Sequence, residues 1–188
     1  MCTPRAFLFA ATYMVAAQSA VGGQTPGLGQ PISEADIAPW AITVFPSGRG
    51  LPPGSGTAVE GAKVYAIKCA ACHGDAGQGG LGPVLISDRK RQGIDESTVT
   101  IPNYWPYATT VYDYVRRAMP WQSPRSTSDQ EAWDLTAFIL EKNHLIPPNS
   151  TIDARSLPLV KMPNRDGFIP AFPKLLPAKH PVADQAGH

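Results

Sequence analysis

Three stretches of the chain carry a helical spacing of apolar positions. In "TAVEGAKVYAIK", Thr57 and Glu60 form a capping-box pair ahead of a run of helix formers ending at Lys68. In "ATTVYDYVRRA", Val111, Tyr114, Val115 and Ala118 fall at i, i+3, i+4 and i+7, so a helix is predicted over residues 108–118. A last helix starts either at Thr127 with Gln130 or at Ser128 with Glu131, and continues through Leu135 and Phe138. Pro120 ends the segment before it and biases its neighbour toward extended backbone, which puts Met119 in a loop between two helices. Outside residues 56–147 the periodicity disappears. The proline-rich stretches 23–55 and 148–188 read as irregular N- and C-terminal extensions of an all-α domain, and they account for much of the chain's 20 prolines.

The first residues follow a different pattern. Arg5 precedes "AFLFAATYMVAAQSA", an apolar run from Ala6 to Ala20 that is shorter than the ~20 residues of a membrane span. Small residues from Ala17 to Gly23 offer cleavage positions, so residues 1–22 read as an export signal of the Sec type and the mature chain as periplasmic; an uncleaved anchor is the alternative. Cys2 would leave with the signal, and the exported chain would keep two cysteines, Cys69 and Cys72.

Both lie in Cys69-Ala70-Ala71-Cys72-His73. A thioredoxin-like C-x-x-C follows a strand, whereas the residues upstream here are helical. A zinc site needs four ligands, and the remaining histidines after the motif, His144, His180 and His188, show no paired spacing. A disulfide across two residues would be strained and would leave His73 unexplained. C-x-x-C-H is the attachment pattern of c-type haem: two thiols one helical turn apart form thioethers along one haem edge, and the adjacent histidine meets the iron. The other axial ligand of a haem electron carrier is commonly methionine, which raises the potential. After residue 22 only Met119 and Met162 are available; Met119 is favoured because it lies between helices, while Met162 lies in the proline-rich tail. Met119 as plain core filler is the remaining option.

The order of helix, haem motif, proline loop, methionine and closing helix resembles the class I cytochromes c. That resemblance implies their all-α fold around one covalent haem c. It implies that Gly61 and Tyr65 on the first helix cross Leu135 and Phe138 on the last, and that the Pro83 carbonyl in "GGLGPVL" accepts the Nδ1–H of His73, fixing the imidazole. Tyr104 and Trp105 are candidate partners of the haem propionates, or members of an aromatic core cluster. Arg116 and Arg117 could neutralise those propionates, or face solvent.

Net charge changes little. At +1 the chain has no global field suited to nucleic acid. The run Arg89-Lys90-Arg91 is a solvated loop or part of a docking surface for an acidic partner. No paired carboxylates, nucleophile elbow or phosphate loop accompany the haem motif. The phrases "GLPPGSGTA", "YWPYATT", "RRAMP" and "MPNRDGF" resemble the cytochrome subunit of the Sox-type sulfite/sulfane dehydrogenase (SoxD-like), over residues 36–168. With one C-x-x-C-H, this chain matches a short, single-haem form. The resemblance implies a separate molybdenum-cofactor dehydrogenase subunit as electron donor and a downstream cytochrome c as acceptor. Another donor, such as a quinone-cofactor alcohol dehydrogenase, is the alternative, and so is a five-coordinate haem that binds small ligands or acts on peroxide if Met119 does not ligate.

Overall fold

The computed structural model describes residues 29–87 and 99–169. The expected signal, the basic run 89–91 and the end of the tail lie outside the described residues. The chain divides after Trp40 into two compact units. In the first, among the described residues, helix α1 (Glu34–Ile37) is capped by Ser33, whose hydroxyl accepts from Asp36 N–H while the Asp36 carboxylate accepts from Ser33 N–H at 2.9 Å. The second unit, from Ala41 onward, holds the core.

That core is set by two helices that meet unusually closely. β1 (Ser55–Thr57) runs directly into α2 (Ala58–Lys68), with the Thr57 hydroxyl accepting from Glu60 N–H at 3.4 Å. Only half of the expected capping box forms, because the Glu60 carboxylate turns instead to Lys63 at 2.7 Å. α6 (Asp129–Lys142) starts with the complete Ser128–Glu131 box, one of the two predicted starts. α2 and α6 cross where Gly61 leaves room for backbone: a methyl group on Gly61 would overlap the Asp134 carbonyl and lie 2.7 Å from Phe138 Cβ. Beside this gap Tyr65 packs on Phe138 with ring centroids 4.8 Å apart. The Asp134 carboxylate then receives Thr57 N–H at 3.0 Å and the Gln130 side-chain amide at 3.0 Å, tying the start of α2 to α6.

α5 (Ala108–Ala118) spans the predicted residues and packs on α6; of the predicted apolar face Val111 and Val115 are buried, while Tyr114 is exposed and Tyr112 is buried in its place. Its Tyr112 is fully buried against Trp133, at 4.4 Å between centroids. Two short helices complete the set, α3 (Ala70–His73) and α4 (Ile101–Tyr104). Among the described residues no helix is long and apolar enough to cross a membrane.

The segments flanking 56–147 are more closely joined to the helices than irregular extensions would be. β2 (Thr151–Asp153) pairs antiparallel with β1, with Gly56 opposite Ile152. Val44, Ile152, Leu157 and Met162 are all core residues. Asp113 on α5 accepts from Val44 N–H at 3.0 Å and pairs with Arg117, which also donates to the Ile42 carbonyl. The missing periodicity has a physical reason: these segments bury isolated side chains rather than one face of a helix.

Candidate functional site

The C-terminal end of α2 delivers Cys69, and α3 makes one turn that carries Cys72 and His73. Both thiols are free and half-buried. Burial pushes the Cys69 thiol up to about 11, against a smaller opposing effect of the Lys68 ammonium, so it is protonated at neutral pH and slow to exchange disulfides.

The His73 ring is held from behind. Its Nδ1 lies 2.8 Å from the Pro83 carbonyl oxygen, the contact that the family resemblance implies. A carbonyl only accepts, so Nδ1 carries the proton and Nε2 keeps its lone pair for a metal. Gly82 packs flat against the same ring: a methyl group there would come within 2.8 Å of it. The loop is itself anchored, since the Asn143 side chain at the end of α6 accepts from Ser87 N–H and donates to the Leu85 carbonyl, each at 3.0 Å.

These residues open onto a cavity of about 300 Å³. Cys69, Cys72, His73 and Pro83 line it together with Met119 and Trp105. Val111, Val115, Leu135 and Ile139 give it apolar walls. Met119 follows α5 in extended conformation (φ −110°, ψ 142°), with its carbonyl accepting from the Thr127 hydroxyl at 2.8 Å. Two bonds thus fix the loop from both sides, because Met119 N–H also donates to Val115 O at 3.2 Å. Beyond it, Trp121 lies at the cavity rim with 70% of its surface exposed, and Gln122 Nε2 comes 3.7 Å from Cys72 Sγ.

Four candidate residues lie elsewhere. Met162 is 3% exposed within the core and is not part of the cavity wall. Tyr104 turns its ring to Phe168, edge-on at 5.4 Å. Arg116 is paired with Asp129, and Arg117 with Asp113, so both guanidinium groups are engaged by carboxylates away from the cavity. Trp105, by contrast, does line it, edge-on to Tyr114 at 5.2 Å.

Sequence reasoning missed Thr100 and α4. The available signals were Pro102 in the first turn of a helix and Asn103, whose side chain accepts from Thr100 N–H at 2.7 Å. The Thr100 hydroxyl, at the cavity wall, is buried with no acceptor for its proton among the described residues. Such a group costs about 1–3 kcal/mol, so its presence here fits a ligand with acceptors on its edge. Haem is such a ligand: it has two carboxylates, a flat apolar body for these walls, and an iron for the free Nε2 of His73.

Lys68, also on the wall, joins the two crossing helices by an ion pair to Glu131 at 2.6 Å. Burial would raise the Glu131 carboxyl, but Lys68 and the Ser128 donors outweigh it, and the group lies below its ordinary value of 4.5. A carboxyl depressed by folding stabilises fully above its unfolded value and loses that contribution as pH falls through the folded one. Glu131→Gln is therefore expected to lower Tm by a few degrees at neutral pH, for a partly buried pair of about 1 kcal/mol. Well below pH 4.5 the variant and the parent should melt together, which thermal scans by circular dichroism at the two pH values will show.

Comparison with known proteins gives three matches. The cytochrome c family model matches residues 58–142. A chain in the crystal structure of the sulfane dehydrogenase SoxCD from Paracoccus pantotrophus is similar at 34% identity; the match covers 87% of this chain and 80% of that one, with a TM-score of 0.71. A thiosulfate dehydrogenase of Stutzerimonas stutzeri (strain A1501) is 28% identical over 117 residues, which are 53% of this chain but only 35% of that protein.

Proposed function

The chain belongs to the cytochrome c family, and from that premise we propose that it is a periplasmic electron carrier of sulfur oxidation. In this reading it takes electrons from a molybdenum-cofactor subunit that oxidises sulfite or sulfane sulfur, and passes them to a further cytochrome. The observation that carries it is the arrangement of His73 and Met119 on one apolar cavity with both attachment thiols. Covalent haem c at Cys69 and Cys72 supplies a one-electron iron couple.

The protein's residues do the rest. Pro83 and Gly82 hold the His73 imidazole in one orientation and one tautomer. Val115 and Thr127 hold the backbone of Met119 from two sides, so the thioether is presented without a search. His73 and Met119 would hold the haem iron between them, leaving no position for a substrate, so that the chain would exchange electrons alone. Apolar walls from α5 and α6 exclude water, which keeps the surroundings nearly unchanged between charge states. Trp121 and Tyr114, at the rim and partly exposed, are where a partner would approach.

Sulfite oxidation releases two electrons, so a chain with one C-x-x-C-H accepts them in two turns. The test is reduction of the haem-loaded chain, followed by absorption. Sulfite together with the molybdenum subunit is expected to reduce it, and sulfite alone is not. Thiosulfate is tried in parallel because of the second relative. Reduction by thiosulfate and not by sulfite would replace the proposed donor.

A further inference from the structure

Two of the phrases that stand out in the sequence, "YWPYATT" and "MPNRDGF", are packed on each other. The first spans the end of α4 and the entry to α5, and Trp105 within it forms part of the cavity wall. The second follows the 3-10 turn Leu157–Leu159. Met162 sinks into the core and the next residues turn tightly, with Arg165 N–H donating to the Met162 carbonyl at 3.1 Å and Gly167 N–H to the Asn164 carbonyl at 3.2 Å. Gly167 leaves room for the Asn164 side chain, which a methyl group there would displace.

Three contacts tie this turn to the first phrase. Asn164 Nδ2 donates to the Tyr104 carbonyl at 2.6 Å. The Arg165 guanidinium sits 4.2 Å over the Tyr107 ring. Phe168 meets Tyr104 edge-on. Residues 104 and 107 are thus pinned on either side of Trp105. Trp105 in turn packs on Tyr114, and Tyr107 is the cap residue of α5, the helix that ends at Met119.

We propose that residues 162–168 are a positioning strap for the cavity, with Asn164 and Arg165 as the positioning residues: by clamping Tyr104 and Tyr107 they fix Trp105 and the start of α5, and so hold Met119 on the iron. This rests on the haem reading above. The clamp acts at a distance, through Trp105, Tyr114 and α5, and touches neither thiol nor His73. Its loss should therefore leave attachment intact and loosen the methionine.

The experiment uses the haem-loaded full chain with Asn164→Ala, Arg165→Ala and the double variant. Imidazole competes with Met119 for oxidised iron, and its apparent affinity is read by titration of the absorption spectrum. The double variant is expected to bind imidazole about tenfold more tightly, the equivalent of ~1.4 kcal/mol. Arg165→Lys, which keeps a cation over Tyr107, is expected to recover part of the difference. Ile152→Ala, in the core on β2 and opposite Gly56 of β1, should lower Tm while leaving imidazole affinity at the parent value. Hydrogen exchange at residues 104–107, read by mass spectrometry whether or not haem is attached, should rise in the strap variants and not in Ile152→Ala. Parent-like imidazole affinity in the fully loaded double variant, or unchanged exchange at 104–107, overturns the strap. A parent chain that carries no haem would instead contradict the site, and the exchange measurement would still decide the strap.

Discussion

Met119→Ala abolishes the weak red absorption band that methionine gives to ferric haem, and leaves haem attachment intact. The expectation follows from the wall: Met119 is the only methionine among the described residues that lines the cavity, and its backbone is held at both N–H and carbonyl. Loss of the thioether also removes a ligand that favours the reduced iron. The potential should fall by on the order of 100 mV, a modest part of the ~0.8 V that axial ligands span. The reduced variant should bind carbon monoxide stoichiometrically. Met162→Leu is the matched control. Its side chain is buried in the core away from the cavity, so a volume-conserving exchange should cost below about 1.5 kcal/mol and leave the band in place. Spectra of the two variants side by side decide between the methionines, since loss of the band in Met162→Leu alone would reverse the assignment.

Gly61→Val is expected to be the most damaging single change to the fold. The added carbons would have to occupy the position of the Asp134 carbonyl, which is backbone and cannot swing aside as a side-chain tip can. Overpacking in a core typically costs roughly 1–3 kcal/mol, and a clash with backbone on a neighbouring helix belongs at or above the top of that range. A small domain has only about 5–15 kcal/mol in total. Chemical denaturation should show a midpoint shift of that size, with Gly61→Ala intermediate. Because the α2–α6 crossing also places Lys68 and Cys69, the yield of haem-loaded chain should fall in the same order.

Much of this could be read from the residues alone. The C-x-x-C-H spacing is local and chemical, so Cys69, Cys72 and His73 needed no knowledge of the fold. Gly61, Tyr65, Leu135 and Phe138 were legible because close crossing leaves a small residue and an aromatic at fixed spacing on one helix face. Pro83 followed from the family pattern, and the 2.8 Å contact to His73 agrees with it. Other residues found partners that the reading did not weigh. Arg116 and Arg117 are cations one turn before Met119, which made propionates plausible partners, but Asp129 across the loop and Asp113 one helical turn back reach them first. Nothing local reveals that Tyr104 will face Phe168, some sixty residues away. The flanking segments carry no helical period for a related reason: they contribute Val44, Ile152, Leu157 and Met162 to the core one at a time.

The account as a whole depends on one haem whose two axial positions are both taken by side chains of this chain. The measurement that tests it most directly is the absorption spectrum of the purified, haem-loaded protein after reduction, recorded before and after addition of carbon monoxide. One haem per chain and an unchanged spectrum are expected. A prompt shift to a carbon monoxide complex in the unmodified protein would show an open iron, and the protein would then be a ligand-binding or peroxide-active haem protein rather than an electron carrier.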